Sequence, residues 1–234
     1  MTDPDTNVIF LDVDNTLLDN DRIEADLDGH LERELGADCR RQYWEIFEAL
    51  RAELGYADYL GAVQRYRERD LNDRRLLRLA EFLLDYPFAQ RLYPAALEVI
   101  RHLDQQGQTV ILSDGDAVFQ PRKIQRSGLW DAVSGRVLIY IHKEQMLDAI
   151  VQTFPAHHYI IIEDKPRILQ AMKDVLGDRL TTVFVRQGHY AKEPNQTAYR
   201  PADLAIECIG DLLTHDIPSL HTRARTHPEI ARLS

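Results

Sequence analysis

The pattern of apolar and polar positions divides the chain into a short buried run, a long helical stretch and then a regular alternation of strand and helix. Val8-Ile9-Phe10-Leu11 is continuous and apolar, with the length and bulk of a strand buried on both faces, and it stops abruptly at Asp12-Val13-Asp14-Asn15-Thr16. From Leu18 to about Tyr86 no strand pattern recurs, and the strong helix formers Arg, Glu, Leu and Ala dominate. Segments Ile23 to Leu35, Arg41 to Leu54, Ala57 to Arg69 and Arg75 to Leu84 carry apolar residues at helical spacing, as with Leu60, Val63 and Tyr66 in the third. Gly36, Gly55 and the polar stretch from Asp70 to Asp73 supply breaks. About four helices are therefore expected between the first strand and the rest of a sheet.

Pro87 and Pro94 punctuate the return, and the order becomes helix, strand, helix, strand. A helix over Ala96 to Leu103 ends near Gly107, and Thr109 to Leu112 is a buried strand halting at Ser113-Asp114-Gly115-Asp116. A helix over Phe119 to Arg126 stops at Gly128; Val137 to Ile141 is a strand, and Lys143 opens a helix that runs to Thr153. His158 to Ile162 leads into Glu163-Asp164-Lys165-Pro166 and a helix from Arg167 to Leu176. Thr181 to Val185, an edge strand over Ala202 to Ile206 and a closing helix from Ile209 to Leu213 complete the pattern. Such alternation predicts an α/β fold, a doubly wound, Rossmann-like parallel sheet with helices on both faces. The sheet core is expected from residues 1–18 and 88–217, with 19–87 as an inserted helical domain and 218–234 as a weakly ordered tail.

Composition narrows the function. A chain of 234 residues with 44% hydrophobic content can bury one good core and a smaller module. Its formal net charge of -10 argues against nucleic acid or an anionic membrane surface as a partner, while leaving a small anionic substrate open. Cys39 and Cys208 lie far apart in no ligand-like spacing, as in a reduced cytoplasmic protein, and no apolar run is long enough to span a membrane.

In an open parallel sheet the C-terminal strand ends share one edge. Here they carry Asp12 and Asp14, Ser113 and Asp114, Lys143, and Glu163 with Asp164. Crowded carboxylates need a cation or a shared proton, and Asp12 and Asp14 can serve one site only if the chain leaves the strand between them. The set suits phosphoryl transfer: acids for Mg²⁺, an aspartate nucleophile, a second acid for proton transfer, and hydroxyl, backbone N–H and ammonium groups for phosphoryl oxygens.

In this order the residues resemble the four motifs of the haloacid dehalogenase-like superfamily. Asp12-Val13-Asp14-Asn15-Thr16 is similar to its first motif, DxDxT; Ser113, Lys143 and Glu163-Asp164 are similar to the second, third and fourth. The resemblance spans roughly residues 8 to 190. It implies Asp12 as nucleophile and Asp14 as general acid/base, with Mg²⁺ held by Asp12, the backbone carbonyl of Asp14 and Asp164. It also implies phosphoryl binding by Ser113, Asp114 and Lys143, with Lys143 stabilising Asp12, and a helical cap in the insertion. The fourth motif often has a further acid four or five residues on; Ile168 and Leu169 stand there, so Glu163 would complete the metal shell.

The implied activity is hydrolysis of a small phosphorylated metabolite. Asp14 favours a phosphatase over a dehalogenase, which needs no acid for an alcohol leaving group. Phosphonate hydrolysis through a cap lysine is disfavoured because Leu18 to Phe88 contains no lysine. A phosphomutase, or a silent phosphate- or partner-binding protein, remains open. Lys165 reads as a supporting partner or a solvated charge, and His189 as a loop histidine without a ligand role. Tyr43, Trp44 and Phe47 read mainly as helix core, and Arg74 and Arg75 either as a charged helix face or as attraction for a second anionic group.

Overall fold

The computed structural model describes residues 7–69, 71–192 and 198–215. Six parallel strands form one sheet: β1 (Val8–Leu11), β2 (Gln108–Asp114), β3 (Val137–Tyr140), β4 (Tyr159–Glu163), β5 (Leu180–Val185) and β6 (Leu204–Ile206). Their order is β3-β2-β1-β4-β5-β6, so the order reverses at β1, between β2 and β4. Ligands of open α/β sheets bind at such a reversal.

Strand alternation sorts the core into two layers. Ile9, Leu11, Ile160 and Ile162 point to one face, where they meet α5 (Ala96–Leu103), α6 (Phe119–Arg126) and the short α7 (Leu129–Ala132). Val8, Phe10 and Ile161 point to the other and pack on α8 (Leu147–Thr153) and α9 (Pro166–Leu176). Pro166 opens α9 at a position where its missing N–H costs nothing.

Besides α5, four α-helices lie between β1 and β2 among the described residues: α1 (Asn20–Leu35), α2 (Ala37–Leu54), α3 (Tyr59–Arg67) and α4 (Arg75–Asp85). Asp19 and Asp58 cap α1 and α3 by accepting from the Arg22 and Gly61 N–H groups, and Gly55 ends α2 in the left-handed region at φ 82°. Their buried faces, including Leu27, Leu31, Phe47 and Leu79, join the sheet-face cluster without a break. Tyr43, Trp44 and Phe47 are packing residues, as the spacing predicts; the Tyr43 hydroxyl donates to the Tyr59 carbonyl at 2.9 Å.

Several boundaries depart from the sequence pattern. Strand β2 runs through Ser113 and Asp114, because those residues pair in register with Ile139 and Tyr140. No α-helix opens at Lys143; Lys143–Gln145 form a 3-10 turn and α8 begins at Leu147. The closing helix is likewise 3-10, over Ile209–Thr214, and α7 is too short to leave a periodic trace. The edge strand at the end of the chain is present, and β3 forms the opposite edge. The expected tail at 218–234 lies outside the described residues. Among the described residues no helix is long and apolar enough to cross a membrane.

Candidate active site

Strand β1 stops at Leu11, yet the Asp12 N–H still donates to the Ile162 carbonyl of β4 at 3.0 Å, so the chain leaves the sheet between Asp12 and Asp14. Asn15 then takes φ 59°, a left-handed conformation that Asn tolerates better than most residues. Its side-chain oxygen accepts from the N–H groups of Asn20 at 3.0 Å and Asp21 at 3.2 Å, which ties the turn to the start of α1. One loop thus sets both the two aspartates and the entry into the helical insertion.

The two aspartates occupy different surroundings. Asp12 is buried at 2% exposure, and its carboxylate accepts from Lys143 Nζ and, at 3.2 Å, from the Thr16 hydroxyl. Asp14 opens into a cavity of about 350 Å³. One of its oxygens accepts from Lys123 Nζ at 2.7 Å and the other from Gln120 Nε2 at 3.2 Å. Lys123 also donates to Asn20 Oδ1 at 3.0 Å, and Gln120 to Ser113 Oγ at 2.9 Å. The nucleophile candidate is therefore clamped from the core, and the acid/base candidate is held from α6 at the mouth.

Lys143 is fully buried and central. Its ammonium lies 2.6 Å from Glu163 Oε2 and donates to the Leu112 carbonyl at 3.0 Å, besides its bond to Asp12. The Glu163 contact is close enough for an ion pair but is not aligned as a hydrogen bond. Burial pushes the Lys143 pKa down, yet the charges of Asp12 and Glu163 outweigh it and the net shift is upward, so the group stays cationic. Asp114 Oδ1 accepts from the Lys143 N–H at 2.8 Å. The Asp114 side chain thus anchors the turn that carries Lys143, a task the sequence does not disclose.

Asp12, Glu163 and Asp164 are all buried and offer carboxylate oxygens within 4.8 Å of one another. Both Asp164 oxygens lack a hydrogen-bond partner although they are buried. Burial raises the Asp164 pKa well above the carboxylate range; Lys165 opposes the rise, while Glu163 and Asp12 add to it. Burial and the Asp12 charge raise that of Glu163, with Lys143 opposing. Acids crowded this way, with oxygens unused, fit a hard divalent cation. The Asp14 side chain is not in this cluster.

The remaining expectations divide. Lys165 is half-buried and lines the cavity at Asp14, which places it at the site; the charges of Asp164, Asp12 and Glu163 raise its pKa against the opposing effect of burial. His189 pairs with Asp21 at 2.6 Å and braces the entry of α1. Arg75 pairs with Asp73 at 2.7 Å on the surface, and neither Arg74 nor Arg75 lines the cavity. Lys123, Gln120 and Arg51 were missed. The first two left a trace, since two polar residues occupy the face of α6 that also buries Phe119 and Ile124.

A family model described as a hydrolase, haloacid dehalogenase-like hydrolase, matches residues 6–175. A solved structure from Burkholderia xenovorans, described as a haloacid dehalogenase-like hydrolase, is 61% identical with a TM-score of 0.86, over 91% of this chain and 100% of that one. A haloacid dehalogenase-like family hydrolase of Xanthomonas campestris is 18% identical with a TM-score of 0.63, over 94% of each chain. The L-2-haloacid dehalogenase of Xanthobacter autotrophicus is 18% identical with a TM-score of 0.56, over 89% of this chain and 97% of that one. The last two share the fold alone. No curated protein matches the chain.

Proposed function

The chain belongs to the haloacid dehalogenase-like hydrolases, and from that premise we propose that it is a Mg²⁺-dependent phosphatase acting on a small phosphomonoester through Asp12. The observation that carries this reading is the carboxylate of Asp14, two residues from the buried Asp12 and lining the cavity where a leaving group would sit. An alkoxide leaving group needs a proton, and in this reading the Asp14 carboxyl gives it.

An Asp12 carboxylate oxygen attacks phosphorus, the ester P–O bond breaks, and Asp14 protonates the departing oxygen. Asp14 then takes a proton from water as that water attacks phosphorus; the bond to Asp12 breaks, releasing inorganic phosphate and restoring the carboxylate. Ser113 and Lys143 bind phosphoryl oxygens, and Lys143 also offsets the charge gathered around Asp12. Asp12, Asp164 and the backbone carbonyl of Asp14 would hold Mg²⁺, with Glu163 beside them. The bound ion would supply charge neutralisation for the phosphoryl group. Helices α1 to α4 act as a cap over this edge of the sheet.

Release of p-nitrophenol from p-nitrophenyl phosphate, with Mg²⁺ and with a chelator, tests the reading. Turnover that needs the metal and is lost in Asp12→Asn, with circular dichroism unchanged, is the expected result. Retained turnover in Asp12→Asn refutes the nucleophile assignment.

A second reading, hydrolytic dehalogenation of a 2-haloacid, also uses Asp12 as nucleophile. It is favoured by the engagement of both Asp14 oxygens by Lys123 and Gln120, from which Asp14 must be released to shuttle protons. Halide release from 2-chloropropionate without phosphate release would select it.

A further inference from the structure

The cavity at Asp14 is more cationic than the chain that surrounds it. The protein carries a formal net charge of -10, yet Arg51, Lys123, Lys165 and Arg167 line the cavity against the carboxylates of Asp14 and Asp114. Three of these cations are engaged by acids. Lys123 pairs with Asp14 at 2.7 Å and Arg167 with Glu144 at 2.6 Å, while Lys165 lies in the field of Asp164, Asp12 and Glu163.

Arg51 differs. It sits near the C-terminal end of α2, and its guanidinium donates to the Tyr190 hydroxyl at 2.9 Å, across to the loop after β5. Among the described residues its nearest acid is Glu48, at 4.0 Å and 64% exposed, with Glu24 acting on it from further off; neither hydrogen-bonds the guanidinium. Arg51 also lines an adjoining cavity of about 360 Å³ that shares Asp14, Tyr59, Lys165 and Tyr190 with the first; Asp21 and Glu24 line that second cavity, so the cationic side of Arg51 is the first one. The space beyond Asp14 exceeds what a phosphoryl group fills, and an arginine fork stands across it. A planar guanidinium suits two-point binding of a carboxylate or phosphate.

We propose that Arg51 selects substrates whose leaving group carries a second anion, a carboxylate or a second phosphate, which it binds from the helical insertion while Asp14 serves the scissile oxygen. The substrate class is then a small phosphomonoester with two anionic ends. This rests on the phosphatase reading above. Selectivity is set by the insertion, whereas the chemistry is set by the strand ends.

Two matched pairs test it: glycerol 3-phosphate against 3-phosphoglycerate, and fructose 6-phosphate against fructose 1,6-bisphosphate, each assayed with Mg²⁺ by phosphate release. The wild type should prefer the more acidic member of at least one pair, and the pair concerned tells carboxylate from phosphate. In Arg51→Gln, kcat/KM for that preferred member should fall roughly 10- to 100-fold more than for p-nitrophenyl phosphate, the factor expected for a hydrogen-bonded charge, with the loss mainly in KM. Arg51→Lys should recover part of it. Tyr190→Phe removes the bridge but keeps the guanidinium and should preserve the preference. No preference in the wild type, or a fall in Arg51→Gln that is uniform across substrates, overturns the proposal while leaving the phosphatase reading intact. A wild type that hydrolyses none of the phosphates, p-nitrophenyl phosphate included, overturns both.

Discussion

Asp164 is the residue where folding and the proposed metal site pull in opposite directions. Two buried carboxylate oxygens without a partner cost the metal-free protein roughly 1–3 kcal/mol in desolvation. Asp164→Asn replaces a carboxyl whose ionised form burial opposes by a neutral amide of nearly the same volume, so the metal-free variant should melt several degrees above the wild type at neutral pH, at roughly 2–4 °C per kcal/mol. Saturating Mg²⁺ should raise the melting temperature of the wild type and leave the variant unmoved, because only a ligand-binding native state gains from the ligand. A variant that melts lower without metal would show that Asp164 is held by the fold rather than strained in it. Lys123 presents the opposite case. Lys123→Met leaves Asn20 Oδ1 and one Asp14 oxygen without their donor, which should cost about 2 kcal/mol in urea denaturation and lower kcat by loosening Asp14. Unchanged stability and unchanged kcat together would remove Lys123 from the site.

Between elements, the tie from α1 to the 3-10 turn that leads back into the sheet is ionic. Asp26 accepts from Tyr86 Oη at 2.5 Å and from Arg91 Nη2 at 2.7 Å. Burial alone would raise the Asp26 pKa, but the Tyr86 and Arg91 hydrogen bonds outweigh it and hold the group below 3.8. A lowered folded pKa gives stability that is present above the unfolded value and lost as pH falls through the folded one. Asp26→Asn should therefore destabilise the protein by about 1–2 kcal/mol at pH 7, with the gap to the wild type closing only below pH ~4. A gap that stays constant down to pH ~2 would make the effect steric. The same scale marks what the sequence could show. The buried strands and the helix faces were legible because a short continuous apolar run and a period of 3.6 are both local. The convergence of Asp12, Ser113, Lys143 and Asp164 was legible because parallel strands end on one edge. The length of β2 was not, since Ser113 and Asp114 are poor strand formers kept in register by β3. Arg51 was hidden among the many arginines of the helical stretch, and the approach of α2 to Tyr190 distinguishes it.

Over the whole molecule, the helical insertion and the sheet share one hydrophobic cluster. Leu27, Phe47, Tyr59 and Leu79 of the insertion lie in the same contiguous core as Ile9, Leu11, Ile162 and Phe119. Phe119 is the junction: its ring centroid lies 5.3 Å from that of Tyr59 in α3 and 5.8 Å from that of Phe88 in the returning segment. At the insertion tip a Cβ on Gly55 would lie 2.7 Å from His142 Nε2 and would displace that ring, while the φ of 82° favours glycine at this end of α2. An insertion that folded alone would have a core of its own and a polar seam against the sheet; this one contributes to a common core. Urea unfolding followed by far-ultraviolet circular dichroism and by tryptophan fluorescence should then give coincident transitions, Trp44 reporting on the insertion and Trp130 on the sheet. Phe119→Ala, which opens a cavity at the junction, should lower the stability of both by about 3–5 kcal/mol in a single step. Two separated transitions in the wild type would mean that the insertion melts independently, and its closure over Asp14 would then be a property of a separate domain.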